Sequence, residues 1–526
     1  MNSKSHATQT RAPRFWRSAL AVLALLPLSL TVLAQTPTPN PPGPSAPVGT
    51  TAAAAPVAEA ATPPVTVKMS KADADTLAAA SSASVTGEGA SKADTAWMIV
   101  ATALVMFMTP GLALFYGGLV RSKNVLNTMM MSFAALGLIS VQWMLFGYSI
   151  AFGKDIPISS TVAGIIGDPR QFMGLHGVGA GLRSGLTIPE SIFMLFQMTF
   201  AIITPALISG AVAERMKFSA YCVFILLWAT FFYDPLAHMV WGSGIIGATL
   251  HALDFAGGTV VHISSGVSAL VLCIMLGKRK GHGGEEMRPH NVPMVLIGVA
   301  LLWFGWFGFN AGSELAADGV ACAAFINTHI ATAAAATSWM LIEWVRFKKP
   351  TAVGFGSGAV AGLVAITPAC GFVDATAALI IGLLVSPICF FAIQMKGKLN
   401  KYDDALDVFG VHACGGMFGA LATGIFANSA VNSAITDPKL LGATNGILSG
   451  QPGASFHQFL VQLIAVVATI VMAIVATVVF GTITKLVCGG LRAPENEEED
   501  GLDVTEHGEE AYHGDNAGIP ALAGID

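Results

Sequence analysis

From Asp94 onward, apolar stretches alternate with short polar breaks: 94–120, 125–152, 189–213, 218–237, 255–277, 292–312, 320–345, 352–369, 374–395, 408–428 and 456–487. Each runs for about 18 residues or more, which at ~1.5 Å per residue is enough to cross a bilayer core of ~30 Å. Many are interrupted by Gly, Ala and Ser, as in Ser357-Gly358-Ala359, and such residues let membrane helices approach closely. The pattern predicts an all-α polytopic membrane protein with one bundled domain over 94–490 and eleven transmembrane helices.

Composition agrees. Only 11% of residues are charged, against about 25% in soluble domains. Residues 1–34 read as a signal peptide: Arg11, Arg14 and Arg17 precede an apolar run that ends at Val32-Leu33-Ala34. Residues 35–93, rich in Ala, Pro, Thr and Ser without a period, are expected to form a disordered extracytoplasmic tail. Residues 491–526 form a polar C-terminal tail with an acidic run, Glu495 to Asp500.

Basic residues gather in alternate loops: Arg121 and Lys123; Arg215 and Lys217; Lys278 to Arg288; Arg346, Lys348 and Lys349; Lys396, Lys398 and Lys401. That bias predicts a cytoplasmic C-terminus and an extracytoplasmic mature N-terminus. No basic arm points to nucleic acid. The seven cysteines include no CxxC and are expected to be reduced, small core residues. No metal or phosphate motif is present, and no cofactor is expected.

Two of the histidines inside apolar spans sit in matched settings. His262 follows Asp254, and His412 follows Asp404, by the same eight residues. A charged side chain in hydrocarbon costs about 2.5–3.5 kcal/mol on insertion scales, so such a residue marks a pathway or relay by default. The histidines occupy the fifth and tenth spans. Two five-helix repeats plus a final long helix account for this, and the odd number forces the second repeat to be inverted. Eight residues from opposite faces, ~12 Å each, then bring the histidines to similar depth. Contact between them requires neighbouring helices.

Several segments carry a family resemblance. They include L-F-Y-G-G-L-V-R-S-K-N-V from 114, G-A-V-A-E-R from 210, A-H-M-V-W-G from 237 and A-L-D-F-A-G-G-T-V-V-H-I from 252. Others are G-W-F-G-F-N-A-G-S from 305, D-V-F-G-V-H from 407 and G-L-D-V-T-E-H-G-E-E-A-Y from 501. Over about 94–513 the chain resembles the ammonium transporter family (Amt/Mep/Rh), bacterial Amt type.

The resemblance implies transport of ammonium or ammonia, not an enzyme, by a homotrimer in the bacterial inner membrane. It implies an outer cation recruitment site at Trp241, Phe200 and Ser313, a gate of Phe200 and Phe309, and a pore relay of His262 and His412. Phe115, Tyr116, Phe196 and Trp306 fall in matching motifs, and His238 is expected to orient Trp241. Asp254 is expected to cap its helix, supply a buried negative charge, or both. Asp404 and Asp407 read as structural. The tail from Gly501 to Tyr512 implies a P-II family signalling protein as cytoplasmic partner. The alternatives are an ammonium sensor on the same scaffold and a neutral gas channel.

Overall fold

The computed structural model describes residues 89–157, 163–399 and 401–512. The expected signal peptide and nearly all of the expected 35–93 tail lie outside the described residues. Among the described residues ten helices are long and apolar enough to span a membrane, and a shorter apolar helix, Ala352–Ile366, accompanies them. In chain order they are α1 Lys92–Leu119, α2 Ser122–Phe152, α3 Glu190–Val212, α4 Phe218–Thr249, α5 Gly258–Leu276 and α6 Val292–Glu314. There follow α7 Gly319–Phe347, α8 Ala352–Ile366, α9 Ala375–Lys396, α10 Phe409–Phe426 and α11 His457–Val487. No β-strand forms among the described residues.

The boundaries differ from the apolar pattern for local reasons. Helix α1 starts two residues early because the Ser91 hydroxyl accepts the Asp94 N–H at 3.2 Å. Helix α8 stops at Ile366, short of 369, because Pro368 has no N–H to continue the ladder. Helix α4 runs on past 237 to Trp241, is interrupted at Gly242–Gly244 and closes with a π-helical turn, Ile245–Thr249. A π-helical turn at Ala229–Tyr233 precedes Pro235 and accommodates its missing donor.

Glycines set the helix contacts. A Cβ on Gly298 of α6 would stand 2.4 Å from the Phe115 nitrogen, and one on Gly118 of α1 would stand 2.7 Å from the Asn291 oxygen. Residue numbers on α1 rise as those on α6 fall, so these two helices pack antiparallel. Helices α5 and α10 do the same, with Gly266 against Ala413 and Gly416 against His262. The opening and closing helices of the two five-helix halves thus pair in opposite directions, the arrangement an inverted repeat requires.

Four cysteines, at 222, 273, 370 and 389, are buried as expected. Cys322 is exposed, and Cys414 and Cys488 are half-buried, so the expectation of seven core thiols is corrected. Cys322 lies on α7, which packs on α6, α8 and α9 and leaves its remaining face open.

The face that carries the basic loops is tied by ion pairs. The Arg279 guanidinium donates to both Asp403 oxygens, at 2.8 and 2.9 Å, and reaches Glu214 at 3.3 Å. Arg121 pairs with Glu214 at 2.8 Å. Burial pushes the Asp403 carboxyl up, but hydrogen bonds from Arg279 and the charges of Arg279 and Arg215 outweigh it and hold the group well below the usual carboxylate range. A depressed carboxyl stabilises the fold above its unfolded titration and loses that contribution as pH falls through its folded value. Arg279→Gln is expected to cost about 3 kcal/mol at neutral pH, since one buried charge loses its partner. The deficit should shrink from about pH 4 downward, because the unfolded chain then takes up a proton that folded wild-type Asp403 resists until its lower value is reached. Melting curves of the detergent-solubilised protein across that range check this, and a pH-independent deficit would count against it.

The C-terminal tail packs on this face. Asp503 accepts the Asn127 N–H at 2.8 Å, and Asn124 accepts the Leu502 N–H at 2.9 Å. His507 meets Asn127 at 3.1 Å and presents a ring contact to Phe218, while the Tyr512 hydroxyl reaches His290 at 3.0 Å.

Candidate functional site: a ring column ending on two histidines

Asp254 organises the start of α5. Its carboxylate accepts N–H bonds from Gly257, Gly258 and Thr259 at 2.6–2.8 Å, from Val260 at 3.3 Å, and from the Thr259 hydroxyl. This is N-capping, which satisfies donors a helix start leaves free. Gly257 sits at φ +119°, a conformation glycine adopts without a side-chain clash. The Asp254 carbonyl also accepts the Trp241 indole N–H at 2.9 Å. One residue therefore fixes both the ring at one end of the column and the helix that carries His262.

Asp404 repeats the device on α10, accepting from Val408 at 3.1 Å and Phe409 at 2.8 Å. Asp407 takes the positive-φ position five residues before His412, as Gly257 does before His262. Its carboxylate is paired with Lys396. Both histidines lie on π-helical turns, Gly258–Ile263 and Phe409–Ala413. Such turns re-aim side chains and recur at functional sites.

From Trp241 inward the aromatic rings form a column. Half-buried Trp241 meets Phe200 edge-on at 6.0 Å, and Phe200 stacks on Phe309 at 4.2 Å. Both phenyl rings are buried, so together they close the column. Phe309 lies 6.2 Å from the His262 ring, and Trp306 stacks on His262 at 5.5 Å. The Trp306 indole donates to the Thr367 hydroxyl at 2.9 Å.

His262 and His412 meet through their Nδ1 atoms at 3.3 Å. Two N–H groups cannot face each other at that distance, so the pair shares one Nδ1 proton. The Nε2 of His262 is buried with no hydrogen-bond partner among the described residues. A narrow cavity runs past Leu207, Trp306 and Phe309 to both histidines. A wider one, lined by His412, Tyr116, Pro289, Ser357 and Asp407, continues toward the basic face. His412 belongs to both, so the pair stands where an apolar passage meets a polar vestibule.

The structure thus brings together Trp241, Phe200, Phe309, His262 and His412. Ser313 follows Phe309 by one turn, and its hydroxyl donates to the Phe309 carbonyl at 2.8 Å, leaving its oxygen lone pairs as acceptors. Phe196 packs edge-on against Phe200 at 5.0 Å, and Phe115 lines both cavities. The hydrogen bonds of the Asp254 carboxylate go to the start of α5, and its link to the column is the carbonyl that holds Trp241. His238 is buried, bonded to the Ala151 carbonyl at 3.1 Å and to Asp155 at 3.2 Å, three residues before Trp241.

Sequence reasoning missed Gly266, Gly416 and Lys396. The signal for the glycines was visible, because each follows its histidine by four residues in H-I-S-S-G and H-A-C-G-G. Lys396 gave none, since its pairing with Asp407 depends on how α9 returns to α10.

Comparison with known proteins agrees with this architecture. The model of the Ammonium Transporter Family matches residues 96–512. An ammonium transporter of Bacillus subtilis (strain 168) is 51% identical over 421 residues, covering 80% of this chain and 98% of that protein. Ammonium transporter Amt1 of Archaeoglobus fulgidus is 44% identical, covering 80% of this chain and all of its own length. Among solved structures, Saccharomyces cerevisiae Mep2 superposes with a TM-score of 0.68 at 34% identity, covering 77% of this chain and 91% of that one. A protein described as a sensor Amt protein gives 0.70 at 28% identity, covering 79% and 98%. A family match over most of the chain, and relatives this similar along nearly their whole length, make this multi-pass helical protein a member of the ammonium transporter family, a family of transporters and not of enzymes.

Proposed function

We propose that the chain carries ammonium across the bacterial inner membrane through the ring column and the histidine pair. The observation that carries this reading is the contact between His262 and His412 at the end of a closed aromatic column, with the buried Nε2 of His262 unpartnered among the described residues. Trp241 and Phe200 offer π faces, and Ser313 an acceptor oxygen, to a small desolvated cation. Cation–π attraction reaches about 2 kcal/mol in such a setting. Phe200 and Phe309 form the gate. An intact ammonium ion would face a large desolvation cost beyond it. Loss of a proton near the gate lets neutral ammonia pass the apolar cavity while the proton crosses on the imidazoles. Asp254 supports this by holding Trp241 and the His262 helix in register.

On this reading the vestibule and the C-terminus face the cytoplasm, which the bias of basic residues supports. The functional unit is a homotrimer, and the tail with its neighbouring basic loops is the docking region for a P-II family signalling protein.

Methylammonium uptake with simultaneous current recording in proteoliposomes tests the core reading. Uptake with current supports it, uptake without current points to a neutral gas channel, and neither, with ammonium binding retained, points to a sensor. In the same assay Trp241→Leu and Ser313→Ala should raise the ammonium concentration for half-competition about 5- to 30-fold, the factor that 1–2 kcal/mol of lost cation binding produces. Unchanged competition curves would remove the outer site. A chain truncated after Arg492 should insert normally yet lose P-II-dependent inhibition or part of its transport. If both persist, the tail has no regulatory role.

A further inference from the structure

The helical ladder of α4 is interrupted directly after Trp241, so it does not hold this residue on its C-terminal side. The chain folds back on His238 instead. The His238 carbonyl accepts the Gly242 N–H at 3.0 Å and the Gly244 N–H at 3.1 Å, with Ser243 between them at φ +68°. His238 is therefore the pivot of the turn that leaves Trp241.

That pivot is gripped from outside α4. The buried His238 ring meets the Ala151 carbonyl at 3.1 Å through Nδ1 and the Asp155 carboxylate at 3.2 Å through Nε2. Both partners are acceptors, so each contact needs its own proton, one on Nδ1 and one between Nε2 and Asp155. The same Asp155 oxygen accepts the Gly164 N–H at 2.8 Å, and the Gly164 carbonyl accepts the Ile245 N–H at 2.8 Å. Ile245 opens the π-helical turn beyond the break. The connection that follows α2 thus holds α4 on both sides of Trp241, at His238 before it and at Ile245 after it.

These contacts run backbone on backbone. A Cβ on Gly242 would stand 2.4 Å from the Ala151 oxygen, and one on Gly244 would stand 2.5 Å from the Gly164 oxygen. Gly164 sits at φ +77°, and a Cβ there would meet the Ile245 nitrogen at 2.7 Å. The indole of Trp241 has a hydrogen bond to the Asp254 carbonyl, but one bond at the ring nitrogen leaves the ring free to swing about it. Cation–π attraction acts only within about 6 Å of a ring centre, so a cation between Trp241 and Phe200 depends on where the Trp241 backbone stands.

We infer that Asp155 and Gly164 are positioning residues of the outer site: with His238 they clamp the backbone on both sides of Trp241 and so set where its ring face meets the cation. The inference rests on the recruitment role proposed for Trp241. Asp155 is the informative residue to change, because its side chain is 28% exposed and its truncation opens no core cavity.

The test measures ammonium competition against methylammonium uptake, and ammonium-driven current, in proteoliposomes of the full-length protein. Asp155→Ala should raise the half-competition concentration about 3- to 10-fold, the range of one buried hydrogen bond, while current at saturating ammonium changes less than about twofold. Asp155→Asn, whose amide can donate to a neutral His238 ring and accept the Gly164 N–H, should recover most of the affinity. Gly164→Ala, which presses on Ile245 and leaves the His238 ring alone, should weaken competition in the same way. In a Trp241→Leu background Asp155→Ala should add nothing, since both changes act through one ring. A wild-type competition curve for Asp155→Ala, with a shifted one for Trp241→Leu, overturns the clamp and leaves the outer site standing. Unchanged curves in Trp241→Leu overturn both. An Asp155→Ala effect that persists in full on Trp241→Leu, or an equal loss of affinity and maximal current, shows a general structural role and overturns the inference.

Discussion

Ammonium-driven current in proteoliposomes should fall at least about a hundredfold when either His262 or His412 is replaced by alanine. Two tenfold steps correspond to about 2.7 kcal/mol of added barrier. That is small beside the cost of moving a bare cation through the cavity lined by Leu207, Trp306 and Phe309. The Nδ1 contact of 3.3 Å makes the two imidazoles one device, since a proton that reaches the first has the second as its nearest acceptor. The double variant should therefore lose little more than either single one, the non-additivity expected of residues that act as a unit. Neutral ammonia flux is expected to survive, because the substitutions widen an apolar passage. Ammonium-selective current of wild-type size in all three variants would reduce the histidines to packing residues and sink the relay.

Gly266→Ala should be nearly as damaging although it touches no ring of the column. The new Cβ would stand 2.4 Å from the Ala413 nitrogen and 2.8 Å from its Cβ, so α5 and α10 must move apart. Overpacking of this kind costs about 1–3 kcal/mol, and here the displaced atoms are backbone. The movement opens the histidine contact, so melting temperature and current should fall together. Gly416→Ala, whose Cβ would be 3.0 Å from the His262 Cβ, should show the same effects more weakly. A Gly266→Ala protein with wild-type stability and current would mean that the crossing is not the tight fulcrum the distances describe.

Much of the membrane architecture was legible in the apolar pattern, and two of the helices show why. The last span was expected at 456–487 and is His457–Val487, because a long lipid-facing helix is specified by hydropathy alone. Helix α4 was cut short in sequence, because the π turn and Pro235 interrupt the simple helical pattern while packing keeps the helix going. The matched Asp-to-His spacing was readable because capping is local: a carboxylate at a helix start satisfies N–H groups within a few residues. The aromatic set was readable only through resemblance. Phe200, Trp241 and Phe309 stand on α3, α4 and α6, and nothing in their spacing says that they stack.

Sequence by itself determined the helix count, the alternation of basic loops, the cap that Asp254 offers the start of α5, and the similar depth of the two histidines. These follow from local chemistry, namely the length of apolar runs, the lack of an N–H on proline, and short-range side-chain bonds to backbone. Tertiary structure alone decided that α5 and α10 cross, that His262 and His412 touch through Nδ1, and that the Asp254 carbonyl orients Trp241. It also decided that Asp403 neutralises Arg279, 124 residues away. Such contacts depend on which helices become neighbours. That is set by how small residues on many helices fit at once, a property no single stretch of chain contains.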